Sequence, residues 1–375
     1  MKIGVVGGGQ LGRMLGLAGL PLGFQFRFLE PTADCPAGAL GEVIRAPYDD
    51  LDALERFARD LSFATYEFEN VPAETAQWLA DRLSLAPNPR ALSIAQDRIL
   101  EKTTFRDLGI PVQPFAAIAT VGDIVAALRT VSLPAVLKTR RLGYDGKGQR
   151  VLQATSTDPD EFVRLAWEEL GRVPCILEAL VPFSAEVSMI AVRARRAGHG
   201  ATIAFYPLIQ NEHRSGILWK SQVPAPCDGD GRLATAAEQY VRALMESLDY
   251  IGAIAVEFFV TSAGLIANEM APRVHNSGHW TIDGAVTSQF ENHLRAIGGL
   301  SLGSTECRGA SVMINLVGRA PITARLLALP HARLHLYGKS ARAGRKVGHV
   351  TLTAPAAAEL GEPTRMLEQL AVWEL

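Results

Sequence analysis

Three groups of residues in the chain have types and spacings that could do chemistry. The first is a carboxylate pair. Glu257 stands inside the apolar run Ile254-Ala255-Val256-Glu257-Phe258-Phe259, and Glu269 follows Asn268 at the end of Leu265-Ile266-Ala267. Read as two strands joined by a three-residue loop, Ser262-Ala263-Gly264 with Gly264 left-handed, these segments put 257 opposite 269 on one face. A lone carboxylate in such an apolar strand is costly unless it meets a cation. Two glutamates beside a carboxamide oxygen make a hard-oxygen site, suited to magnesium held together with phosphates.

The second group is Lys138, at the end of the apolar strand Ala135-Val136-Leu137, followed by the glycine-rich charged loop Arg140–Gln149 that carries Lys147. A strand-embedded lysine and a glycine-rich cover suit a triphosphate. The pattern is not a Walker A loop, since no G-x-x-x-x-G-K-[ST] occurs. The third group is Gly7-Gly8-Gly9-Gln10-Leu11-Gly12 directly after a strand, with Glu30 at the end of the next strand. Taken alone it reads as a dinucleotide turn, with amides on a phosphate and Glu30 on a ribose hydroxyl; a tight turn without a ligand is the bland reading. A polar run, Arg273, His275, Asn276, Ser277 and His279, reads as a substrate-binding loop, because Pro272 and Asn276-Ser277-Gly278 argue against a helix. His213, in Gln210–Gly216, reads as a loop residue with a role or with none.

The elements that must position these residues follow from periodicity. Up to about residue 90 strand and helix patterns alternate: strands Ile3–Val6, Phe24–Leu29 and Thr65–Phe68, helices Gln10–Leu20 and Leu51–Leu61, and a further helix from Pro72. Pro87-Asn88-Pro89 closes this unit. A long helix is expected over Arg90–Leu108, ending at Gly109-Ile110-Pro111. Short strands (Ala135–Lys138, Arg150–Gln153, Cys175–Ala179) then surround two helices. From Val181 the chain is strand-rich, with Glu186–Arg193, Thr202–Tyr206, Gly252–Val260, Leu265–Met270, Ala310–Leu316 and Lys346–Thr353. The organisation expected is 1–90 an amino-terminal α/β domain, 91–114 a connecting helix, 115–180 a small lid and 181–375 a strand-rich domain.

Composition excludes several classes. Of 375 residues 48% are hydrophobic and 20% charged, so disorder is excluded. Lys+Arg 37 against Asp+Glu 39, with no dense basic run, makes nucleic acid an unsuitable partner. No window reaches the ~20 uncharged apolar residues of a membrane span. Met1-Lys2 runs straight into a strand rather than a signal peptide, and Cys35, Cys175, Cys227 and Cys307 lie far apart; both favour a reducing cytoplasm.

With these residues in hand, the chain resembles the ATP-grasp superfamily, and within it the 5-(carboxyamino)imidazole ribonucleotide synthetase family of purine biosynthesis. The resemblance is carried by Gly7–Met14, Tyr66–Pro72, Gln96–Lys102, Gly143–Gln149, Glu178–Val181 with Glu186, Asn211–Leu218, Asn268–Thr281 and Tyr337–His349, in family order over nearly the whole chain. One departure is Arg193–Gly200, longer and more basic than is usual. The fold implied is α/β and α+β: a parallel (Rossmann-like) amino-terminal domain, a lid and a strand-rich ATP-grasp domain. The activity implied joins bicarbonate to 5-aminoimidazole ribonucleotide through carboxyphosphate, with ATP and magnesium and as a homodimer.

The resemblance also implies roles. ATP would meet Arg98, Lys138, the loop Gly143, Tyr144, Asp145, Gly146, Lys147, Gly148 and Gln149, the adenine segment Glu178, Ala179, Leu180 and Val181, then Glu186, His213, Asn268 and Glu269. Glu257 and Glu269 would hold magnesium. Gly8, Gln10, Leu11, Glu69, Asn276, Ser277, Lys339, Arg345 and Lys346 would bind the nucleotide substrate. Asp145 would be the base, Tyr144 and His275 would orient the amine, and Arg273 would stabilise the carboxylate in transfer. Other readings are a biotin carboxylase-like or formate-using ligase, a nicotinamide-dependent dehydrogenase resting on the first domain alone, and a nucleotide-binding regulator.

Overall fold

Continuous apolar segments begin the chain, and a parallel sheet buried on both faces is what they form. In the computed structural model, which describes residues 1–143, 148–153, 159–196, 198 and 200–375, β1 (Lys2–Val6), α1 (Gln10–Gly19), β2 (Gln25–Leu29), β3 (Glu42–Ile44), α2 (Leu51–Ala58), β4 (Phe63–Tyr66) and α3 (Ala73–Ala80) follow in turn. The strands pair in parallel in the order β3-β2-β1-β4. Ile3, Val5 and Val6 are completely buried.

The single helix expected over Arg90–Leu108 is two helices, α4 (Pro89–Ala95) and α5 (Arg98–Asp107). Asp97 separates them. Its carboxylate accepts from the amides of Ile99 and Leu100, which starts a new helix instead of continuing the old one. Arg140 and Arg141 from the next domain hold the same carboxylate at 2.7 and 3.3 Å.

That next domain contains β5 (Phe115–Ile118), α6 (Ile124–Thr130), β6 (Ala135–Thr139), β7 (Gln149–Leu152), α7 (Pro159–Glu169) and β8 (Cys175–Ala179). Its strands form an antiparallel sheet in the order β5-β8-β6-β7. Its core of Ile118, Ile124, Leu137, Val163 and Trp167 is its own.

The remainder comprises β9 (Ala185–Arg196), β10 (Gly200–Phe205), β11 (Ile209–Arg214), β12 (Ile217–Val223), α8 (Arg232–Ser247), β13 (Gly252–Thr261), β14 (Gly264–Ala271), α9 (Thr281–Gly284), α10 (Gln289–Ile297), β15 (Ala310–Gly318), α11 (Thr323–Leu327), β16 (Ala332–Leu336), β17 (Arg342–Ala354) and α12 (Gly361–Leu370). One sheet runs β14-β13-β9-β11-β12-β15-β17-β16, with β10 on β9. The segment Gln210–Gly216, expected as a loop, is instead the β11–β12 hairpin, turning through Ser215 and Gly216, both at positive φ. Its inward position Asn211 is polar and satisfied by Ser188 and Ser221, so no apolar alternation marks the strand. Helix α10 packs on β9, β13 and α1, and Leu11, Met14, Phe26, Ile190, Trp280 and Leu294 share one core. The first domain and the large sheet are therefore locked together. No helix among the described residues is long and apolar enough to cross a membrane, and the four cysteines are unpaired.

Candidate active site

Glu257 on β13 stands directly opposite Glu269 on β14. The pairing expected from the sequence is present, reached by another route. Thr261 pairs with Gly264, so the loop has two residues, and a bulge at Asn268 restores the offset. The bulge leaves the Asn268 Oδ1 buried without a hydrogen-bond partner. Burial, together with the like charges of Glu269 and Glu186, pushes the Glu257 carboxyl up to about 7 against the pull of His213. Two crowded carboxylates and an orphaned amide oxygen fit a hard divalent cation. Among the described residues no three His, Cys, Asp or Glu side chains converge as a metal cluster, so oxygens from a bound phosphate would complete the shell.

Arg98, on the first turn of α5, reaches Glu269 at 3.2 Å and the Gly143 carbonyl at 3.4 Å. Lys138 on β6 is paired at 2.6 Å with the buried Glu178 of β8. Burial opposes the Glu178 charge, but Lys102 and Lys138 outweigh it and hold the carboxyl down to about 2. The amides of Ala179 and Leu180 donate to the Pro114 and Pro134 carbonyls. A base recognised by this segment would therefore meet its carbonyls or Val181, not those two amides. Gln149 opens β7, and Gly148 faces a separate cavity beside Thr139 and Arg141. Tyr144, Asp145, Gly146 and Lys147 lie outside the described residues.

His213 projects from β11, and its Nδ1 lies 2.9 Å from Glu186 on the neighbouring strand. Burial alone would lower its pKa; the Glu186 hydrogen bond and the nearby Glu257 charge override that and push it up to about 9. A pKa raised above its unfolded value makes the pair stabilising below ~6.5, with the contribution lost as pH rises through about 9. An NMR titration of the ligand-free protein should find the His213 imidazole still protonated at neutral pH. Replacing Glu186 with Gln should bring its midpoint down.

One cavity of about 370 Å³ collects Gln10 and Leu11 from α1, Glu69, Arg98, Glu257, Glu269, and Arg273, His275, Asn276 and Lys346. Arg273 Nε donates to Glu69 at 2.5 Å, and this pair holds the Glu69 carboxyl at about 2 although burial pushes the other way. The His275 Nδ1 meets the Ser277 hydroxyl at 2.9 Å, and burial with the nearby Arg273 keeps the ring neutral, down to about 3. Ser277 itself is completely buried and also accepts from Ser188. It sits beneath the cavity and holds His275, so the substrate contact expected of it is not available. Asn276 lines the cavity, yet its amide pairs reciprocally with Asn315. Lys339 donates to Gln10, with burial drawing its pKa to about 8. Arg345 is tied to Asp34 at 2.6 Å and to Ser340. Of the three basic residues only Lys346 lines the cavity.

The glycine turn departs most from expectation. The Gly8 amide donates to Glu30 at 2.9 Å, while those of Gly9 and Gly12 donate to Glu67. A Cβ on Gly9 would stand 2.5 Å from Glu67 Oε1, and one on Gly8 would stand 2.4 Å from Cys35 Sγ. These glycines make room for the protein's own side chains where a dinucleotide pyrophosphate would sit. Glu30 also accepts from Thr32 and Tyr48, so it is a staple of the turn and not a ribose ligand. The dehydrogenase reading fails here. Millimolar NADH should leave the melting temperature unchanged, whereas Gly9→Ala should lower it by several degrees in a thermal-shift assay. Gln10 and Leu11 line the cavity at this helix start, and Gly8 does not.

Glu67, Asp97, Glu101 and Lys102 carried no assigned role in the sequence, although Tyr66–Pro72 and Gln96–Lys102 include all four. Their partners lie too far along the chain for local spacing to reveal.

Comparison with known proteins agrees with this geometry. Residues 1–96 match the ribonucleotide synthetase preATP-grasp domain, 103–290 the ATP-grasp domain, and 311–362 the phosphoribosylaminoimidazole carboxylase C-terminal domain. The N5-carboxyaminoimidazole ribonucleotide synthase of Pseudomonas aeruginosa is 53% identical over 352 residues, 94% of each chain. The chain belongs to the N5-carboxyaminoimidazole ribonucleotide synthase family. It is an ATP-grasp ligase by that membership. The N5-carboxyaminoimidazole ribonucleotide synthetase of Thermus thermophilus superposes with a TM-score of 0.92 at 50% identity, covering 100% of this chain and 99% of that one. The Aspergillus clavatus synthase, solved with ADP and 5-aminoimidazole ribonucleotide, superposes at 0.87 with 28% identity and 98% coverage of both chains.

Proposed function

We propose that the protein carboxylates 5-aminoimidazole ribonucleotide with bicarbonate and ATP, giving N5-carboxyaminoimidazole ribonucleotide, ADP and phosphate. One observation carries this reading. A single cavity brings the carboxylate pair and Arg98 together with Gln10, Glu69, Arg273, His275 and Lys346, and the His275 Nε2 lies 3.8 Å from Glu257. That arrangement suits a phosphoryl donor held directly beside a nucleotide acceptor.

A bicarbonate oxygen attacks the γ-phosphorus, the bond to the ADP oxygen breaks, and carboxyphosphate results. Arg98 and Lys138 carry the positive charge that faces the phosphates, with Glu178 holding the Lys138 ammonium in place. Magnesium, held by Glu257 and Glu269 with Asn268 beside them, would supply charge neutralisation at the phosphoryl oxygens. The substrate amine then attacks the carboxyl carbon, phosphate leaves, and the amine gives up a proton. Arg273 donates to the carboxyl oxygens, and neutral His275, its Nδ1 accepting from the Ser277 amide, turns its Nε2–H toward the substrate and orients it. Asp145 is the proposed proton acceptor. Water must be kept away from carboxyphosphate, and the 115–180 domain is placed to close over it.

ADP release that requires both bicarbonate and the aminoimidazole nucleotide is the expected result. ATP consumption with formate or with biotin in place of either one would point to a different ligase.

A further inference from the structure

Lys102 is completely buried, yet nothing in the reaction calls for it. Its Nζ donates to the Asn268 carbonyl at 2.6 Å and the Ala267 carbonyl at 3.0 Å, and it lies 3.5 Å from Glu178 Oε1, an oxygen with no hydrogen bond of its own. The two carbonyls belong to the bulge that lets Glu269 face Glu257. On the same helix, α5, the Glu101 carboxylate accepts from the Met270 amide at 2.6 Å, and Arg98 reaches the Glu269 carboxylate. Three side chains of one helix thus fasten residues 267–270. A bulge exposes backbone groups that the ladder no longer pairs, so it holds its shape only if something else satisfies them.

We propose that Lys102 is a positioning residue for the cation site. It clamps the Asn268 bulge from beneath and, through Glu178, ties that bulge to the lysine of the 115–180 domain that faces the phosphates. Lys102 touches neither ATP nor cation. Its effect is exerted through the carbonyls it holds, as partners outside a ligand shell orient the ligands themselves. This inference rests on the reading of Glu257 and Glu269 as the metal ligands.

The test measures manganese binding to the ADP complex by electron paramagnetic resonance, alongside the melting temperature. Lys102→Met should raise the manganese dissociation constant about tenfold or more, with the KM for the aminoimidazole nucleotide unchanged. Should losing one of the two ammonium groups beside Glu178 prevent folding, Lys102→Met/Glu178→Gln removes a charge of each sign together. That double variant should still bind manganese weakly, while Glu178→Gln alone should keep its manganese affinity and lose ATP affinity. Lys102 variants that melt lower but bind manganese normally would overturn the proposal, because they would show a purely structural residue. Glu269→Gln in the same assay separates the two readings. If it leaves manganese binding intact, the metal assignment fails and this inference with it. If it weakens binding where the Lys102 variants do not, only the role of Lys102 falls.

Discussion

Glu269→Gln should lower turnover by about 10²–10³-fold, the scale on which removing one preorganised charge-stabilising group acts, and should scarcely alter folding. The side chain is 43% exposed, so its charge is not buried without a partner. What changes is the site. Glu257 loses the neighbour that shares its cation, Arg98 loses its carboxylate partner, and the phosphoryl end of the cavity gains positive charge with nothing to anchor it. Raising magnesium should recover part of the rate. Assaying ADP release across a magnesium series decides the matter: near-normal activity at low magnesium would place the metal elsewhere. Glu257→Gln should fall as far in rate but cost no stability near neutral pH, because burial already pushes that carboxyl to about 7 and favours its neutral form.

Arg273→Met should act on both stability and catalysis. Arg273 and Glu69 are largely buried against each other, and breaking such a pair by removing one member costs about 3–5 kcal/mol. The Glu69 carboxyl is held at about 2, below its unfolded value, so the pair stabilises above ~4.3 and the contribution is lost as pH falls toward 2. The Met variant should lose that stability across the neutral range. Adding Glu69→Gln should restore most of the melting temperature, since no buried charge is then unpaired. It should not restore kcat/KM for the nucleotide, expected to fall about 10²–10³-fold if Arg273 donates to the carboxyl group in transfer. A double variant that regains both would reduce Arg273 to a structural partner of Glu69.

The site was legible where chemistry and local pattern coincide. A carboxylate inside an apolar strand, a lysine at a strand end and a polar run after Pro272 each announce a cost that only a ligand or partner offsets; the first and third line the cavity, and the lysine meets the buried Glu178. The pairing of Glu257 with Glu269 was readable because strand periodicity is two. A one-residue loop error and a one-residue bulge cancel in the register, so the pairing came out right from a wrong loop. His213 was misplaced in a loop because the hairpin that carries it buries Asn211 through side-chain hydrogen bonds, and a polar inward residue erases the alternation that marks a strand.

By itself the sequence determined the strand–helix alternation of the first ninety residues, the turn after the first strand and the residue types that line the cavity, because these follow from neighbours a few positions apart. Tertiary structure alone decided who occupies the turn. The amides that a glycine motif at a helix start offers to any anion are taken by Glu67, 58 and 55 residues further along the chain. Likewise Asp97 divides a helix whose periodicity continues, and Arg140, 43 residues away, holds the carboxylate that does so. Ser277 reads as a substrate-loop residue and Lys102 carries no assigned role until packing buries both completely. A side chain's partner is set by which elements come to lie against each other, and an unfilled amide or ammonium donates to whichever acceptor the fold brings within about 3 Å. Nothing in the local spacing of residues states which one that will be.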